Sequence, residues 1–109
     1  MSIKHTFDRF SMKDLIDPTL IRFPYSSKTN KKEPVITNAL ILFVKEYEYE
    51  EERVIYLGGI CHMSDEFKTY RTDCISGNVT FLMKNEPNIL RREQLLSMEI
   101  LRQVFKFKQ

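Results

Sequence analysis

Apolar positions along the chain come in short blocks separated by polar turns, and their spacing changes from one block to the next. In residues 7–17 (FDRFSMKDLID), Phe7, Phe10, Leu15 and Ile16 recur at near-helical spacing until Pro18 stops the run, which predicts a short N-terminal helix. Residues 19–25 (TLIRFPY) read as a first strand, and Pro24 confines it to an edge or a bulge. From Val35 to Val44 the chain is almost wholly apolar, the pattern of a strand buried on both faces. A third strand runs over 54–61 (VIYLGGIC), where Gly58-Gly59 signals a sharp bend or bulge. A fourth covers 66–76 (EFKTYRTDCIS) and a fifth 77–83 (GNVTFLM), entered through a Gly-Asn turn. The last block, 87–105, opens on Pro87 and carries Ile89, Leu96, Ile100 and Val104 along one stripe, the strongest helix signal in the chain.

The order predicts a mainly β, α+β domain: a small, strongly bent five-stranded barrel of Sm/SH3-like type over 19–83, with helices over 1–17 and 87–105. A chain of 109 residues supports one hydrophobic core and one domain, 1–109. The polar intervals are informative too. Residues 26–33 (SSKTNKKE) form a basic loop, either a solvated hairpin tip or, through Lys28, Lys31 and Lys32, a nucleic-acid contact. Residues 45–53 (KEYEYEEER) turn acidic and predict a projecting hairpin end, with Tyr47 and Tyr49 on one face and Glu46, Glu48 and Glu50 on the other.

Composition narrows the picture only modestly. With 42% apolar and 29% charged residues the chain has ordinary globular usage, so a packed core is expected. The net charge of +2 neither requires nor excludes a nucleic-acid partner, because a local patch matters more than the sum. No apolar run reaches the length of a membrane span, and the two cysteines, Cys61 and Cys74, fit free thiols in a reducing cytoplasm.

Catalytic chemistry has no signal. There is no phosphate-cradling glycine loop and no nucleophile elbow. A metal site would need His5, Cys61, His62 and Cys74, yet Cys61 and His62 are strand neighbours whose side chains diverge. No cofactor, metal or catalytic residue is therefore expected. The fourth strand carries the binding chemistry: Lys68, Tyr70 and Thr72 face one way, and Thr69, Arg71 and Asp73 the other. Arg71 either pairs with Asp73 or lines a pocket mouth, where its planar fork suits phosphate or carboxylate.

Residues 20 to about 90 resemble the WYL domain, a bacterial and phage sensor module with an Sm-like barrel. The resemblance rests on Ile55-Tyr56-Leu57, continuing Gly58-Gly59-Ile60-Cys61, and on Lys68-Thr69-Tyr70-Arg71-Thr72-Asp73-Cys74-Ile75. Ile21 to Ser27 stands where the family's first strand lies, and 79–87 (VTFLMKNEP) where it has an apolar strand with an acidic-Pro exit. Ile55 replaces the name-giving Trp, Lys68 and Cys74 replace arginines, and the family's proline near Thr37 is missing. The resemblance implies a non-enzymatic regulatory module that binds a nucleotide-type or single-stranded nucleic-acid ligand. Carried over by position, Tyr25, Lys68 and Arg71 face the ligand, with Tyr56 nearby, and the strand reading adds Tyr70. The family's helix-turn-helix has no room in the first 17 residues, so an accessory regulator, of the reduced kind mobile elements carry, is the expectation. The alternative is a protein-interaction module acting on a host complex through the acidic-aromatic hairpin and the final helix, with homodimerisation by an edge strand or that helix also open.

Overall fold

The computed structural model of the chain describes residues 10–27, 33–83 and 88–108. Much of the expected N-terminal helix lies outside them, as do His5, the basic residues Lys28, Lys31 and Lys32, and the acidic-Pro exit at 84–87.

Among the described residues six strands form one antiparallel sheet: β1 (Leu15–Tyr25), β2 (Val35–Tyr49), β3 (Glu52–Cys61), β4 (Phe67–Arg71), β5 (Val79–Phe81) and β6 (Asn88–Leu90). Their order is β4-β3-β2-β1-β5-β6, so the ladder is open and β4 and β6 are its ends. The mainly β reading with a C-terminal helix therefore holds, while the sheet has six strands rather than five. The helix, α1, is Met98–Val104.

The long β2–β3 hairpin dominates the sheet and closes through a two-residue turn, with Tyr49 opposite Glu52. Glu50 and Glu51 both take positive φ, 48° and 69°, the backbone that a type I′ hairpin turn demands. The projecting acidic hairpin end is thus present. Opposite Gly58-Gly59 the register slips between Ile41 and Phe43, so Leu42 is the extra residue of a bulge. Gly59 is required there by close approach: a Cβ would lie 2.2 Å from the Leu40 carbonyl oxygen.

Three expectations from periodicity change. Among the described residues the N-terminal block makes a single 3₁₀ turn, Met12–Asp14, with the Ser11 N–H donating to Asp14 Oδ2 at 2.8 Å. Leu15 and Ile16 already belong to β1, and Pro18 sits inside that strand at a register irregularity instead of ending a helix. A helix this short is marginal in water, whereas the strand buries Ile16 completely. The fourth strand stops at Arg71, and Thr72–Cys74 form a 3₁₀ turn. The final helix is also shorter: 88–90 pair with β5, Arg92–Leu96 make a 3₁₀ turn, and only then does α1 begin. Ile89 and Leu96 of the expected stripe are exposed, and the buried residues are Leu90, Leu95, Met98, Leu101 and Phe105.

Val35 and Ile36 are exposed, so β2 is not buried on both faces from its start. Pro24 is tolerated inside the sheet because β5 pairs with β1 only at Ile21 and Arg22, and beyond them Pro24 need only accept, its carbonyl taking a hydrogen bond from the Ser76 N–H at 3.1 Å. One core unites Ile21, Phe23, Ile41, Val44, Leu57, Ile75 and Val79 with Leu95, Leu101 and Phe105 from the C-terminal segment. The Phe81 and Phe105 rings meet at 5.6 Å. Beyond α1 the tail is laced to β1: Asp17 N–H donates to Lys106 O, and Lys108 N–H to Leu15 O.

Candidate functional site

The side chains of β4 alternate across the sheet, and that alternation divides the expected ligand residues between two cavities. Tyr25, Lys68 and Tyr70 line a cleft of about 910 Å³ at the end of the sheet where β1, β2, β3 and β4 meet. Tyr56 and Arg71, cross-strand partners on β3 and β4, line a smaller cavity of about 310 Å³ with Phe10, Lys45 and Tyr47. The five expected residues therefore do not line one cavity. Lys28, Lys31 and Lys32 fall outside the described residues.

The larger cleft is mostly apolar at its base. The Tyr25 and Tyr70 rings meet edge to face at 5.1 Å, and Tyr70 packs on Phe23 at 5.1 Å in the same way. The Tyr25 hydroxyl accepts a hydrogen bond from the Arg71 backbone N–H at 3.2 Å. Burial raises the Tyr25 pKa above its ordinary value, and that backbone hydrogen bond only partly opposes the rise. Tyr70 is 4% exposed, and its hydroxyl has no hydrogen-bond partner among the described residues. Burial, followed by the neighbouring Cys61 sulfur, pushes its pKa far up. Lys68 and Glu33, both exposed, contribute opposite charges to the lining, and Val35 and Met63 give it an apolar rim.

The smaller cavity is aromatic and carries Lys45, Arg71 and Glu52. Phe10 stacks on Phe43 with ring centroids 5.0 Å apart. Lys45 Nζ lies 5.6 Å over the Tyr47 ring and 3.9 Å from Asp14 Oδ2. Arg71 forms a two-point pair with Asp73, Nε to Oδ1 at 3.0 Å and Nη2 to Oδ2 at 2.7 Å. That hydrogen-bonded carboxylate raises the arginine pKa further. Of the two readings left open for Arg71, the ion pair is formed, and the residue also lines a cavity.

Sequence reasoning did not pick out Cys61, Ser64, Thr37 or Glu33 for the larger cleft, nor Phe10, Lys45 and Tyr47 for the smaller one. The period-2 run Phe43, Lys45, Tyr47 was a usable signal for the second group. Cys61 carried no such signal, because what surrounds it comes from its own turn and from another strand. Cys61 is buried, Cys74 half-buried and His62 exposed. Among the described residues no cluster of three or more His, Cys, Asp or Glu is placed to hold a metal ion, and no helix is long and apolar enough to cross a membrane. No family model matches the chain, and none of the curated proteins or solved structures compared with it matches significantly.

Proposed function

We propose that the chain is a non-enzymatic, WYL-like binding module with a small Sm/SH3-like barrel, whose larger cleft takes a nucleotide-type ligand. The barrel reading is supported by the chain path. Four strands meander, a 3₁₀ turn follows β4, and β5 returns to pair with β1. Isolated bridges at Tyr25–Ile75 and Ile16–Phe107 draw the bent sheet further round.

The observation that carries the ligand reading is the meeting of Tyr25, Lys68 and Tyr70 in one cleft. Its volume lies in the ordinary range for small-molecule sites, and its mostly apolar walls hold a few polar groups. An aromatic base suits the Tyr25 edge, Glu33 can accept from an amino group or a ribose hydroxyl, and Lys68 supplies a point charge for phosphate. Arg71 and Tyr56 are left for a second contact on the other side of the sheet, where Tyr47 and Lys45 suit a stacked base of a single strand. The module then acts as an accessory regulator through whatever ligand or strand it holds.

Titration with fluorescently labelled nucleotides, cyclic nucleotides and short single-stranded oligonucleotides tests this. Saturable binding that weakens with salt, and by about tenfold or more in Lys68→Ala, is expected. Arg71→Ala should weaken oligonucleotides and leave mononucleotides unchanged. Absence of binding at low salt, or an unaltered Lys68→Ala, refutes the site. The exposed apolar side chains Val35 and Met63 at the cleft's rim favour a second reading, a protein-interaction module. A stoichiometric protein partner that survives nuclease treatment and is lost in Val35→Asp would establish it instead.

A further inference from the structure

We propose that the outer edge of β4 at Thr69 is a strand-addition site, which takes an extended peptide of a partner protein carrying an acidic residue opposite Lys68. This goes beyond the ligand reading, because it uses the backbone at the cleft's rim and holds whether or not a nucleotide fills the cleft's base.

The argument begins with the hydrogen-bond phase of β4. That strand stands at one end of the sheet, with β3 on one side and, among the described residues, no strand on the other. The Cys61 N–H donates to Glu66 O at 2.9 Å, which makes Cys61 and Glu66 a bonded pair at the start of the β3–β4 ladder. Bonded and non-bonded pairs alternate along an antiparallel ladder, so Gly59–Lys68 and Leu57–Tyr70 are the next bonded pairs. Phe67, Thr69 and Arg71 therefore turn their N–H and C=O groups away from β3. Arg71 confirms the phase independently: its N–H, directed off the sheet, donates to the Tyr25 hydroxyl at 3.2 Å.

That contact also shows where the edge lies. Tyr25 and Thr69 both line the cleft of about 910 Å³, so this edge opens into the cleft. Among the described residues the Thr69 N–H and C=O have no hydrogen-bond partner. One residue of an antiparallel strand satisfies both at once by exchanging two bonds with Thr69. Tyr25 already holds the Arg71 N–H, so the added strand lies toward Glu66 and the turn at 62–65.

The side chains then select the occupant. Lys68 is exposed, faces the cleft and makes no ion pair among the described residues, and its neighbour across the β3–β4 ladder is Gly59. On its outer side Lys68 stands in a non-bonded pair, the geometry in which cross-strand side chains approach most closely. A lysine there repels an incoming strand of like charge and favours an acidic one. Val35 and Met63, both exposed on the cleft's rim, give apolar surface to the residues that flank that acid.

The test uses the whole chain, isotope-labelled for amide NMR, and a capped valine–threonine peptide with a central aspartate. In the free chain the Thr69 amide should exchange with solvent about tenfold faster, or more, than the amides of Lys68 and Tyr70, which bond to β3. The peptide should slow Thr69 exchange severalfold and saturably, and the same peptide N-methylated along its backbone should not bind. Lys68→Glu should weaken the aspartate peptide about tenfold and take up its lysine counterpart instead, an exchange of preference that a folding defect would not produce. The proposal is overturned if Thr69 exchanges as slowly as its neighbours in the free chain, if the peptide does not bind, or if the N-methylated peptide binds equally. An unchanged charge preference in Lys68→Glu overturns it as well. Thr69 protection that appears without peptide and rises with protein concentration would give the edge to a second copy, and this too rules the peptide out. Nucleotide binding enters none of these readouts, so the two readings fail separately.

Discussion

Replacing Tyr70 with Phe removes one hydroxyl and leaves the ring that packs on Phe23 and Tyr25, each at 5.1 Å and close to perpendicular. Among the described residues the deleted atom has no hydrogen-bond partner, and it has no access to water. A buried donor in that condition costs about 1–3 kcal/mol, so the variant should be more stable than the parent by about 1.5 kcal/mol near pH 6. For a chain of this size that is a rise in Tm of about 6 °C. The gain should depend on pH. Above about pH 10 it should grow. Tyr70 stays protonated in the folded parent while the unfolded chain ionises, so the parent's stability is fully present below the ordinary tyrosine pKa and is lost above it. Urea titrations followed by circular dichroism at pH 6 and 10.5 measure both points, with an unchanged m-value confirming that the same surface unfolds. A variant less stable than the parent by more than about 1 kcal/mol at pH 6 would refute the reasoning, because it would mean the hydroxyl is satisfied.

Other parts of the fold make equally definite predictions. Gly59→Ala should cost about 3 kcal/mol, since its methyl would meet backbone at 2.2 Å, whereas Gly58→Ala meets the Phe10 ring at 2.7 Å and should cost about 1 kcal/mol; chemical denaturation ranks them. Glu50→Asn with Glu51→Gly suits the positive φ angles of the hairpin turn and should stabilise by about 1–2 kcal/mol, read as a higher urea midpoint with the same slope. Phe105→Ala, 2% exposed against Phe81, should cost about 3–5 kcal/mol and loosen α1, visible as faster amide exchange at 98–104. Tyr25, which burial also holds protonated, steepens the alkaline loss of stability by up to about 1.4 kcal/mol per pH unit, and Tyr25→Phe should flatten that limb of a stability–pH curve.

Much of this architecture is carried by neighbouring residues. The Val35–Cys61 region needs only its apolar blocks, its acidic turn and Gly58-Gly59 to specify a long hairpin with a bulge, because each signal acts within a few residues. The opposite facing of Lys68 and Arg71 likewise follows from the period of a strand. Local patterns misled where two readings of one segment were close in free energy. The block around Leu15 and Ile16 became strand because Ile16 gains complete burial and the tail at 106–108 supplies backbone partners, neither of which its own sequence announces. The helical stripe through Ile89 and Leu96 gave way because β5 offered 88–90 a strand to pair with.

The functional geography was decided almost wholly by tertiary structure. That Tyr56 lies beside Arg71, with Tyr25, Lys68 and Tyr70 on the other side of the sheet, depends on the β3–β4 register and on where β1 ends. So does the burial of the Tyr70 hydroxyl without a hydrogen-bond partner among the described residues. Periodicity assigns each side chain to a face of its own strand. Which strands then share a cavity is set by long-range pairing and burial, whose free energy belongs to the whole core rather than to any short stretch of chain.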